Sequence, residues 1–185
     1  MWSQIIDTPL GLQARTVYDS DPARHYHNWG HILRLYWHAE HTLAPPYDAD
    51  LDLAILAHDV IYDAAPDKEQ RSIDWLTEQA KGDVQIANIH IAKTIEHRPS
   101  DDNRKVLLDL ADLMDAKVSM ENFDKIKRES IALYGIDEAM FLRANAVVMT
   151  ALAQRIKTDL PNCEAAEDLR YFEKILTGIA SVTPG

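Results

Sequence analysis

The stretch Leu51-Asp52-Leu53-Ala54-Ile55-Leu56-Ala57-His58-Asp59-Val60-Ile61-Tyr62 decides how the rest of the chain is read. Leu51, Ile55, His58 and Tyr62 stand at i, i+4, i+7 and i+11, the spacing of one helix face. Leu53, Leu56 and Val60 cover a neighbouring face, so the segment is apolar over most of its circumference. A helix of that kind belongs in the middle of a helical protein. It also carries an aspartate, whose burial as an ion is costly unless a cation or hydrogen bonds compensate it.

The same three- and four-residue spacing recurs on either side. Six glycines and the near-absence of alternating β-branched runs predict an all-α fold, a single helical bundle over 1–185. Helices are expected at Leu10–Tyr18, then from an Asn28 cap to Leu43, where Pro45-Pro46 stops it. Others are expected at Asp48–Tyr62, Lys68–Lys81 with Gly82 as its C-terminal cap, Asp83–His97, Arg104–Ala116 and Met120–Tyr134. Two more, Asp137–Ile156 and Glu164–Ala180, are expected to pack on a motif-bearing core of about 24–134.

Composition excludes several function classes. Nineteen basic against thirty acidic residues give a net charge of −11, which argues against binding a nucleic-acid polymer. No apolar run approaches the roughly 20 residues of a membrane helix, and no leader is expected at the N-terminus. The single cysteine, Cys163, fits a reducing cytoplasm. Eight histidines stand out, five of them between His25 and His41.

Three sites can carry chemistry. Arg24-His25-Tyr26-His27-Asn28-Trp29-Gly30-His31 holds three histidines, with His27 and His31 four residues apart. Such imidazoles serve as solvated groups at a helix start or as ligands for borderline metals. The second is His58-Asp59. About one such dipeptide is expected by chance from eight histidines and twenty aspartates, so its apolar context carries the information. The third is Val106-Leu107-Leu108-Asp109-Leu110-Ala111-Asp112-Leu113, where Asp109 and Asp112 interrupt an apolar helix and Lys105 stands four residues before Asp109. His31, His58, Asp59 and Asp112 offer a mixed nitrogen and oxygen set. It suits one divalent transition metal (manganese, iron, zinc, nickel or cobalt, with magnesium as the oxygen-preferring option) better than calcium. Such an ion polarises a phosphoryl oxygen and lowers the pKa of bound water.

The order H … HD … D on helices resembles the HD superfamily of metal-dependent phosphohydrolases. Arg24-His25-Tyr26-His27-Asn28-Trp29-Gly30-His31-Ile32 is similar to the RxYHNxxHI start of a bacterial branch of that superfamily. Ala57-His58-Asp59-Val60-Ile61-Tyr62-Asp63 resembles its FHDVVYD, and Lys68-Glu69-Gln70-Arg71-Ser72 its NEERSA, with lysine in place of asparagine. Ile91 to His97 resembles its IxxTxxH, and Leu110-Ala111-Asp112-Leu113 its DADL, with Asp109 close enough to exchange with Asp112.

The resemblance implies a metal held by His31, His58, Asp59 and Asp112. It implies hydrolysis of a small phosphorylated compound, a phosphomonoester, phosphodiester or nucleotide. Asp59 and His97 would be catalytic. Arg24, Tyr26, His27, Asn28, Glu69 and Arg71 would contact substrate, the arginines (Arg98 with them) as phosphate clamps. Some members of the superfamily hold two metals, and here His90 and His97 would supply the second. That alternative is a di-iron oxygenase; a further one is a module that binds a nucleotide or metabolite without turnover. His25, His38 and His41 are expected at the surface or in core hydrogen bonds.

Overall fold

The stretch 51–62 lies where its apolar circumference places it. The structure, a computed structural model, describes residues 2–95, 102, 104–113 and 119–145. It contains α1 (Pro9–Tyr18), α2 (Trp29–His41), α3 (Ala49–Ala57), α4 (Lys68–Gln79), α5 (Gln85–Ala92), α6 (Arg104–Leu113) and α7 (Ser119–Tyr134). A further helical stretch occupies 138–145, and the described residues contain no strand. The fold is therefore all-α. The expected helix at Glu164–Ala180, and the part of Asp137–Ile156 beyond 145, lie outside the described residues.

Helix α3 touches α1, α2, α4, α5 and α6. Its two faces do different work. Leu51, Ile55 and Leu56 enter a cluster with Ala14 and Tyr18 of α1, Ile32 and Leu35 of α2 and Leu108 of α6. Ala54 and Ala57 meet Leu76 of α4 and Ala87 and Ile91 of α5, and their small side chains let α5 approach closely. Each large apolar side chain fully buried there contributes roughly 1.5–3 kcal/mol. At the edge of the core, Gly11 lies against the chain entering α1: a Cβ there would sit 2.3 Å from the Ile5 carbonyl oxygen.

The caps explain where helices begin and stop. Asn28 caps α2 as expected, its Oδ1 accepting from the amides of Gly30 and His31. Asp48 caps α3 through the amides of Asp50 and Leu51. Gly135, at φ +62° just after Tyr134, adopts the left-handed conformation that ends α7. Gly82 does not cap α4, which ends earlier, with Ala80 already extended.

Helix α3 is also shorter than its periodicity predicts, stopping at Ala57 instead of Tyr62. The reason is tertiary. The buried guanidinium of Arg24 donates to the carbonyls of Asp59 and Val60, and the Tyr18 hydroxyl to that of Leu56 at 3.0 Å. Ser72 of α4 then holds the main chain of Ile61, accepting from its amide at 3.1 Å. Carbonyls satisfied from outside no longer need a following helical turn. His58 and Asp59 therefore stand on a turn at the end of α3.

Candidate metal centre

His31 comes from the first turn of α2, His58 and Asp59 from the turn after α3, and Asp109 from α6. His31, His58 and Asp109 form a cluster in which one donor atom from each lies within 4.8 Å of the others. Asp59 adjoins it, its Oδ2 2.8 Å from His58 Nε2 and 3.8 Å from His31 Nε2.

The outer hydrogen bonds decide what the imidazoles present inward. His58 Nδ1 lies 3.1 Å from the Ile55 carbonyl, which only accepts, so Nδ1 carries a proton. His31 Nδ1 lies 2.7 Å from Asp112 Oδ2 and donates to it likewise. Both Nε2 atoms face inward, 3.3 Å apart. Asp109 Oδ1 is 3.7 Å and Asp59 Oδ2 2.8 Å from His58 Nε2. Nitrogen lone pairs and carboxylate oxygens so gathered need a positive centre among them, a proton on an imidazole or a metal ion. Burial pushes His31 below the ordinary histidine range despite its bond to Asp112, which disfavours a proton on that ring. Burial alone would raise Asp59, but positive charge among the His58 and His27 rings beside it holds it well below the carboxylate range. The donor set fits a divalent transition metal.

Asp112 does not join the cluster. Its carboxylate accepts from the outer edge of His31, from the Tyr26 hydroxyl at 2.8 Å, and from Arg34 Nε at 2.6 Å and Nη2 at 3.2 Å. Burial opposes its ionisation, and His31 and Arg34 outweigh burial, holding it far below the ordinary range. Its main-chain carbonyl accepts from Asn122 of α7 at 2.9 Å. The inward position expected for Asp112 thus falls to Asp109, one turn earlier on the same face of α6. Asp112 acts on His31 from behind, fixing its tautomer and ring direction as a carboxylate behind a metal-binding imidazole does. Asp109 is in turn held by the buried Lys105, 2.5 Å away and four residues earlier, as the spacing anticipates.

Beside the cluster opens a cavity of about 260 Å³, lined on one side by Tyr26, His27, Tyr62, Lys68 and Glu69. The ring of His27 stacks on Tyr62, 3.9 Å between centroids, and its Nε2 lies 4.0 Å from Asp59 Oδ2. Its Nδ1 bonds to Glu129 of α7, whose other oxygen accepts from the amides of Tyr26 at 2.9 Å and His27 at 3.1 Å. Glu129 is buried, yet His27 and the two amides hold it below the ordinary glutamate range against the effect of burial. Sequence reasoning missed it. The available signal was a carboxylate three residues after Ile126 and four before Leu133, on the inward face of α7.

Other expected substrate contacts are structural. Arg24 spends its guanidinium on the carbonyls of His27, Asp59 and Val60. Asn28 caps α2 and donates to the carbonyls of Arg24 and His25. Arg71 binds Asp63 and Asp67 on the outer side of α4 and does not line the cavity. Glu69 does line it, paired with Lys68 at 3.1 Å. His38 is buried and bonded to Thr42, and His41 stacks on Trp37.

His97 and Arg98 lie outside the described residues. His90 is buried away from the cavity, its Nε2 3.6 Å from Asp102 Oδ2. Arg104 bridges Asp102 to Asp48, the cap of α3, so His90 belongs to the opposite end of α3 from His58. Nine helical residues separate those ends, about 13 Å.

The fold and this geometry define a helical protein with a buried two-histidine, carboxylate-rich cluster beside a small cavity. No family model, curated protein or solved structure matches the chain.

Proposed function

We propose that the protein is a metal-dependent phosphohydrolase acting on a small phosphorylated compound. The observation that carries this reading is the pair of inward-facing Nε2 atoms of His31 and His58, 3.3 Å apart, with carboxylates at their margin and a cavity open beside them. The motif order in the sequence points the same way. His31, His58 and Asp109 would hold the metal, with Asp59 at its edge. A divalent ion in such a site supplies Lewis-acid chemistry, polarising a phosphoryl oxygen and acidifying water.

The remaining work belongs to side chains. Asp59, whose carboxylate lines the cavity, would accept a proton from the attacking water. His27, fixed by Glu129 at Nδ1, presents Nε2 to the cavity and can hold a proton for the leaving oxygen. Tyr62 fixes the plane of that ring by stacking. His90 and the cluster occupy different ends of α3, so this reading uses one metal; His97, the other residue expected at a second metal, lies outside the described residues.

Elemental analysis, followed by a phosphate-release screen with the restored metal, tests the reading. About one divalent ion per chain is expected, lost in His58→Ala together with turnover. A native protein that takes up no divalent ion, or a His58→Ala variant that retains it, would sink the proposal.

A further inference from the structure

We infer that Lys68 is the phosphate-recognition residue of this cavity and that Glu69 is a built-in competitor which the phosphate displaces. The inference rests on the phosphohydrolase reading and deepens it. Among the described residues that line the cavity, Lys68 is the one permanent cation, since Arg24 and Arg71 are engaged elsewhere. It stands in the NEERSA-like segment where the resembled pattern has asparagine, so the charge is this chain's own. Its ammonium lies 3.1 Å from Glu69 Oε1 and 5.4 Å from the centre of the Tyr62 ring, which places it on the wall shared with His27 and Asp59.

Charge explains the pairing. With neutral imidazoles, the lining carries Asp59, Glu69 and Asp109 against Lys68, and Lys105 pairs with Asp109 from behind the wall, which leaves one net negative charge. A divalent ion turns that balance to one positive charge with Lys68 already counted, so a phosphate dianion entering the cavity needs an ammonium drawn out of an existing pair. Lys68 supplies it by leaving Glu69 for the phosphoryl oxygens, a charge-assisted contact stronger than a neutral one. One ammonium matches one phosphoryl group. The lining also includes Ile95, Leu110, Leu113 and Ile126, an apolar surface for the rest of the substrate, which is compact and uncharged. The substrate class is a phosphomonoester of a small apolar alcohol.

The test is calorimetric titration of inorganic phosphate into full-length protein whose divalent-metal content has been measured first. Lys68→Met, which keeps the alkyl stem on Tyr62, is expected to retain the metal and lose about tenfold or more in phosphate affinity. Lys68→Arg is expected to restore most of it. Glu69→Gln, by removing the competitor, is expected to bind phosphate several-fold more tightly. If metal-loaded Lys68→Met binds phosphate within twofold of the wild type, or if Glu69→Gln binds it more weakly, the assignment is overturned. Metal-loaded wild-type protein that ignores millimolar phosphate overturns it as well. A wild type that takes up no divalent ion removes the phosphohydrolase reading itself, and this inference with it.

Discussion

Asp112→Asn separates a carboxylate that would hold a metal from one that holds the histidine. The buried Asp112 carboxylate gathers four donor contacts between 2.6 and 3.2 Å, from His31, Tyr26 and Arg34. Asparagine keeps one acceptor and turns an amide toward donors. At roughly 1.5–3 kcal/mol for each hydrogen bond to a charged group, losing two would cost about 3–6 kcal/mol. The Arg34 side chain is 26% exposed and can recover water, which brings the expectation to about 3 kcal/mol. With a urea slope of about 2 kcal/mol/M, the unfolding midpoint of the metal-free protein should fall by about 1.5 M. The pH dependence has a definite sign. Folding depresses the Asp112 pKa, so its contribution is complete above the unfolded value near 3.9 and is lost as pH falls toward the folded one. The gap between wild type and variant should therefore narrow from about pH 4 downward. Metal affinity, measured by competition with a chromogenic chelator, should drop about 10- to 100-fold as the His31 ring loses its orientation. An unchanged midpoint refutes the stability reasoning. A destabilised variant with wild-type metal affinity refutes the positioning role.

Three other outcomes follow from the same geometry. Glu129→Gln should cost about 2–3 kcal/mol in urea unfolding, and a double-mutant cycle with His27→Ala should show coupling above about 0.5 kcal/mol; additivity would contradict the bond between them. Gly11→Ala drives a methyl into main-chain carbonyls 2.3 and 2.4 Å away and should lower stability by about 2–3 kcal/mol in thermal unfolding, whereas a neutral result would mean the α1 entry is not packed as described. Arg71→Ala should leave the thermal unfolding midpoint nearly unchanged and phosphate affinity intact, since its partners are exposed carboxylates; a tenfold loss of affinity would return Arg71 to the cavity.

What could be read in the sequence was what periodicity encodes. Leu51, Ile55 and Leu56 announce a central helix because no solvent-facing side remains, and α3 is central. Its end was illegible, because Arg24, thirty-five residues from Asp59, takes the carbonyls that another turn would have used. Asp109 and Asp112 are indistinguishable by pattern, being three apart on one helix face. They differ only in which edge of His31 each meets, and the packing of α2 on α6 sets that. Charge alone likewise made Arg24 and Arg71 phosphate clamps, although their partners already lie within the protein. Lys68, which the sequence marks only as a departure from the resembled pattern, lines the cavity. Glu129 reaches His27 across 102 residues, a distance over which no local signal operates.

The grip of Glu129 on Tyr26 and His27 also ties the timing of the site to an element far along the chain. These two amides donate to a side chain of α7 and not to a neighbouring carbonyl. Their exchange with solvent deuterium would follow the undocking of α7, independently of any fraying at the start of α2. The His27 edge of the cavity thus belongs to the same opening unit as a helix over ninety residues downstream. Whenever α7 lifts, His27 loses its Nδ1 partner and is left with its stack on Tyr62, while the α2–α3 core still stands.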